Sequence, residues 1–112
     1  MAYDEDLANG IRESLCREPG VVEKKMFGGL AFLLGGNMAV AASGQGGLLL
    51  RCDPAATERL VADPHAERFE MRGRAMDGWL RISPEAVAEQ ADLDRWVAVG
   101  AAYARSLPAK RG

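Results

Sequence analysis

At 112 residues and 12.0 kDa the chain has room for one domain with one core, and its 48% hydrophobic and 27% charged residues exclude an intrinsically disordered polymer. A formal charge of -2 and a pI near 5.4 supply no overall field for a phosphate backbone, so direct nucleic-acid binding is disfavoured. Two cysteines are too few for a disulfide framework, the acidic N terminus is unlike a signal peptide, and no apolar run matches a bilayer; reduced thiols and a cytoplasmic location without membrane contact are expected.

Asp4 can cap a first helix in which Leu7, Ile11 and Leu15 recur at helical spacing, before Pro19-Gly20. From Val21 to Cys52 short apolar stretches are broken by glycines, which predicts antiparallel strands at 21–34, 38–42 and 48–52. Gly28-Gly29, inside the first stretch, predicts a bulge or sharp bend where the strand changes direction or partner.

Asp53-Pro54 is a helix-start signal, and the short helix behind it should carry Leu60 and Val61 inward. Phe69–Arg72 and Trp79–Ile82 alternate apolar and charged residues around a loop, as a second hairpin would. Ser83-Pro84 opens another short turn, and Asp92 can cap a final helix with the face Leu93, Trp96, Val97, Gly100, Tyr103, Ala104 and Leu107. The order α-β-β-β-α-β-β-α implies a single α+β domain over residues 1–112, two-layered, with an antiparallel sheet covered by helices on one face.

Candidate chemistry is sparse. Neither glycine-rich segment leads into a helix, which argues for turns rather than phosphate loops. His65 is the single histidine, so a multi-histidine metal site is excluded, and no cofactor motif is present. A dyad of His65 with Cys16 or Cys52 stays open, although both cysteines lie in apolar patterns that suit buried structural thiols. The clustered carboxylates fall mostly near helix N-termini, where the dipole accounts for them. Arg68, Arg72, Arg74 and Arg81 lie close together, but arginines spaced along strands usually form a solvated face.

Lys24-Lys25-Met26-Phe27-Gly28-Gly29-Leu30-Ala31-Phe32-Leu33-Leu34 followed by Gly36-Asn37-Met38-Ala39 resembles the signature of the TfoX N-terminal domain family. Phe69–Trp79 resembles that family's later hairpin, and Trp96 with Tyr103-Ala104-Arg105-Ser106-Leu107 its closing helix. The resemblance implies a two-layer antiparallel fold similar to secretion chaperones and brings no catalytic residues. Its named members are bacterial regulators of competence for DNA uptake that carry a further C-terminal helical domain; with the sequence ending at Gly112, a stand-alone domain is expected.

The expected function is a non-enzymatic bacterial interaction module that binds a protein partner or a second copy of itself, with a link to transcription or competence regulation. The alternatives are a small enzyme of unknown reaction and a direct DNA-binding protein, the latter resting on Arg95, Arg105, Lys110 and Arg111. Alternation should turn Leu48, Leu50, Cys52, Phe69, Met71, Leu80 and Ile82 toward the helices. Leu49, Arg51, Glu70, Arg72, Trp79 and Arg81 would then lie on the open face, where Trp and Arg are suited to supplying binding energy.

Overall fold

A computed structural model describes residues 4–26, 28–44, 46–71 and 73–108, with the side chain of Met71 outside the description. Helix α1 (Glu5–Ser14) starts where Asp4 Oδ1 accepts hydrogen bonds from the backbone N–H groups of Asp6 and Leu7, at 2.9 and 3.2 Å. It buries Leu7, Ala8 and Ile11. Four antiparallel strands follow: β1 (Val21–Met26), β2 (Gly29–Leu34), β3 (Asn37–Ala42) and β4 (Leu48–Arg51).

The stretch 21–34 is therefore two strands, β1 and β2, reversed at the bend expected around Gly28-Gly29. Gly28 has φ +73°, a left-handed conformation that costs glycine nothing. After β4, Asp53 caps a 3₁₀ turn at Pro54–Ala56 that runs into the short helix α2 (Thr57–Leu60), as the Asp-Pro signal predicts. Leu60 and Val61 are only half-buried against the core, and Thr57 is the fully buried side chain of this segment.

Strands β5 (Ala66–Met71) and β6 (Arg74–Ile82) complete a six-stranded sheet of order β1-β2-β3-β4-β6-β5. The stretch 74–78, expected as loop, is already strand. A 3₁₀ turn at Pro84–Val87 leads to helix α3 (Gln90–Ser106). Its N-cap is Glu89, so Asp92 is not the cap; it lies in the first turn and favours the dipole from there.

Helices α1 and α3 pack on one face of the sheet, over Phe32, Val40, Leu48, Leu50, Leu80 and Ile82, all fully buried. Their approach is close. A Cβ on Gly100 would come within 2.5 Å of the Ala39 carbonyl oxygen, so α3 can lie on β3 only because that position has no side chain. Ala39 is the extra residue of a bulge where the pairing shifts from Phe32↔Val40 to Leu33↔Met38.

The other face differs from the expected solvated surface. Leu49 is 4% exposed, and with Ala31, Met38 and Ala41 it forms a second apolar cluster, bordered by half-buried Met26, Leu33, Phe69 and Trp79. Met26 belongs to one edge strand and Phe69 to the other. In a flat sheet five strand spacings, roughly 24 Å, would separate those edges. Both instead line one small cavity, so the sheet curls toward this face into a half-barrel.

Two orientations are corrected by these observations. Phe69 points to this concave face rather than toward the helices, because Ala66 is the residue of β5 that enters the helix-side core and alternation from Ala66 fixes the phase. Leu49 faces away from the helices as expected but is buried, because curvature covers it. Cys16 lies beyond the end of α1 and is exposed, not a buried thiol, whereas Cys52 is buried; neither is in a disulfide.

Candidate functional site

The ladder between β4 and β6 aligns Leu49 with Arg81 and Arg51 with Trp79. Directly paired residues of an antiparallel ladder project to the same side, so these four form a checkerboard of two apolar and two cationic side chains on the concave face. The structure thus brings together Leu49, Arg51, Trp79 and Arg81 of the residues singled out from the sequence. Glu70 is exposed and is among the residues lining the neighbouring cavity, and Arg72 lies outside the described residues.

Arg51 is the centre of the arrangement. Its guanidinium carbon lies 5.3 Å from the Trp79 ring centroid and 5.5 Å from that of Tyr103 in α3, both within cation–π range. Tyr103, assigned from sequence to the buried stripe of α3, is half-buried and reaches the end of β4 instead. Its position seven residues after Trp96 carries the stripe toward the sheet's end, the one hint of this contact in the sequence. Trp79 is half-buried, with Arg51 over its ring. Arg81 reaches the Gly46 carbonyl at 3.5 Å and is aligned with Glu67 in the neighbouring ladder.

Next to the checkerboard lies a cavity of about 110 Å³ whose lining includes Met26, Ala41, Leu49 and Phe69 and the polar Ser43 and Glu70. Met26 and Phe69 were not expected on this face. Their signal is weak in sequence, because alternation sets which side a residue takes but not that two distant edges meet.

The groups with nucleophilic or acid–base chemistry are dispersed. The Cys52 thiol is pushed up from its ordinary pKa chiefly by burial, with a hydrogen-bonding contact to Thr57 Oγ1 at 3.9 Å acting in the opposite direction. The Thr57 hydroxyl also accepts from the Gly78 N–H at 2.7 Å. A His65 ring nitrogen meets Ser83 Oγ at 2.9 Å, and no hydrogen bond joins His65 to either cysteine among the described residues. No group of three or more His, Cys, Asp or Glu side chains could hold a metal ion among the described residues. Nor is any described helix long and apolar enough to cross a membrane.

The basic residues of α3 are engaged. Arg95 pairs with Asp92 at 3.5 Å and lies over the Trp96 ring, and Arg105 pairs with Glu18. Lys110 and Arg111 lie outside the described residues.

Among known proteins, the family model of the TfoX N-terminal domain matches residues 13–104, most of the chain. That span runs from the end of α1 to the end of α3 and includes the whole sheet. No curated protein and no solved structure matches the chain.

Proposed function

We propose that this chain, which belongs to the TfoX N-terminal domain family, is an interaction module that performs no chemistry and binds a protein partner through the concave face around Leu49, Arg51, Trp79 and Arg81. The observation that carries the reading is the stacking of Arg51 on Trp79 and Tyr103. It holds an aromatic–arginine cluster, the composition most favoured in interface hot spots, at the end of β4, between Trp79 of the concave face and Tyr103 of α3.

Two further observations favour this reading over its alternatives. Burial pushes the Cys52 thiol away from the thiolate form that nucleophilic catalysis needs. Arg95 and Arg105, which a DNA-reading helix would leave available, are paired with carboxylates. In a cell the partner would belong to transcriptional or competence control, following the family's named members.

The test is quantitative capture from host lysate and sedimentation of the purified chain, each with wild type, Trp79→Ala and Arg81→Ala. The variants should lose a specific partner or self-association by at least about tenfold while their melting temperatures stay close to wild type. Undiminished binding by both variants would place the interface elsewhere, and unfolding of Trp79→Ala would make Trp79 a core residue.

A further inference from the structure

We infer that Arg51 is a carboxylate anchor and that the occupant of the concave face is an acidic, extended protein segment carrying an apolar residue close to its acidic one. This rests on the reading of that face as the partner-binding surface.

Arg51 is set apart by its two ring contacts rather than by lacking an ion pair, since Arg17, Arg59 and Arg74 also show none among the described residues. Arg12, Arg68, Arg95 and Arg105 each pair with a carboxylate: Glu23, Asp77, Asp92 and Glu18. Arg51 makes no ion pair or hydrogen bond with any described residue, and its contacts are the two aromatic rings. With both rings in cation–π range, the Arg51 guanidinium has N–H donors that no described residue takes up, and these can fork onto the two oxygens of a carboxylate. The rings also restrict the side chain in advance, which lowers the entropy lost on binding.

The surroundings select the kind of anion. Glu67 aligns with Arg81, Glu70 is among the residues lining the cavity, and the chain as a whole carries a formal charge of -2. Such a field opposes a polyanion that places phosphates all along the face, but it admits a single carboxylate docked on one fork. The cavity lined by Met26, Ala41, Leu49 and Phe69 takes an aliphatic side chain from the same segment. Glu70 in its lining sets the direction, because it repels an acidic residue from the cavity and leaves Arg51 as its place.

The probe is a set of short fluorescein-labelled peptides in which a valine and a glutamate are separated by a few serines, read by anisotropy at low salt. The same set with glutamine in place of glutamate is the control, and labelled oligothymidylate is the phosphate comparison. Wild type should bind members of the glutamate set at least about tenfold more tightly than their glutamine counterparts. Arg51→Gln should bring that ratio to about one without moving the melting temperature, and Arg51→Lys should restore only part of it because a point charge replaces the fork.

Equal affinity for the two sets, still weakened by Trp79→Ala, overturns the carboxylate anchor and leaves the interaction face standing. Tighter binding of oligothymidylate than of any peptide overturns it in favour of phosphate. No binding by any peptide at millimolar concentration also overturns it, while the lysate experiment separately decides the broader reading.

Discussion

The two faces of the sheet solve the same problem differently. The helix-side face buries Phe32, Val40, Leu48, Leu50, Leu80 and Ile82 under α1 and α3, and its residues are large and fully enclosed. The concave face buries Ala31, Met38, Ala41 and Leu49 without any helix, by bending until Met26 and Phe69 on opposite edges close over them. Burial by packed elements gains more area for each residue and should dominate stability; burial by curvature leaves a rim of half-covered side chains available to a partner. Stability thereby rests mainly on one side of the sheet, and the interaction proposed above lies on the other.

The sharpest contrast is chemical. Cys52 lies in the helix-side core, whereas Cys16 is exposed beyond α1. In the native protein Cys16 should react with a thiol reagent freely, while Cys52 must wait for an opening of the core and should react at least about a thousandfold more slowly. In denaturant without reductant two thiols should be counted. Comparable native rates for the two would mean that the helix-side layer opens readily.

Truncation of Trp96, 5% exposed on the buried face of α3, should cost roughly 3–5 kcal/mol in the Trp96→Ala variant. Its indole Nε1–H has no hydrogen-bond partner among the described residues, so the loss comes from packing and from the ring's contact with Arg95. An unchanged urea midpoint would show that α3 contributes little to the core.

Neighbouring leucines on β4 compare the faces directly. Leu50→Ala, under α3, should cost about 3–5 kcal/mol, and Leu49→Ala, on the concave face, about 2–3 kcal/mol, because a rim without a helix above it can collapse into the space. Equal losses from the pair would mean that the curled edges enclose Leu49 as firmly as the helices enclose Leu50.

The helix-side face was the more legible in the sequence. Asp4 with Leu7 and Ile11, the Pro54 and Pro84 starts, and the alternation through Leu48, Leu50 and Cys52 are local signals, and each holds in the structure. The concave face depends on the bulge at Ala39 and on the curvature that brings Met26 to Phe69, which no short window of sequence contains. The side taken by Phe69 is hard to read in sequence because its strand begins at Ala66, a small residue that gives little hydrophobic signal of its phase. The half-burial of Tyr103 is hidden for the reverse reason: helical spacing says which stripe a residue joins, not where the sheet beneath it ends.

The smallest effect is at the margin of the helical layer, where β1 is largely exposed and Val22 is 57% accessible. There Arg12 of α1 forms a forked pair with Glu23, with both nitrogen–oxygen distances 2.7 Å. The hydrogen bonds from Arg12 hold the Glu23 carboxyl below its ordinary value of 4.5, helped by the guanidinium charge and opposed by slight burial. Because the folded carboxyl is the stronger acid, the unfolded chain takes up this proton first as the pH falls. The contribution is therefore complete above the ordinary glutamate range and is lost below about pH 4.5 as the folded carboxyl titrates. Both side chains are more than a third exposed, so the pair is worth less than about 1 kcal/mol and should weaken further in salt. Asp94, held down by hydrogen bonds from Ser14 and Gln90, adds an acid-sensitive component of its own that a change at Glu23 leaves in place. Urea midpoints of wild type and Glu23→Gln, measured from neutral pH into the acid range, should accordingly converge as the pH falls without the acid slope of the variant vanishing. Parallel curves at low salt would show that Arg12 does not tie α1 to β1, and that the helical layer is held by α3 and the core beneath it.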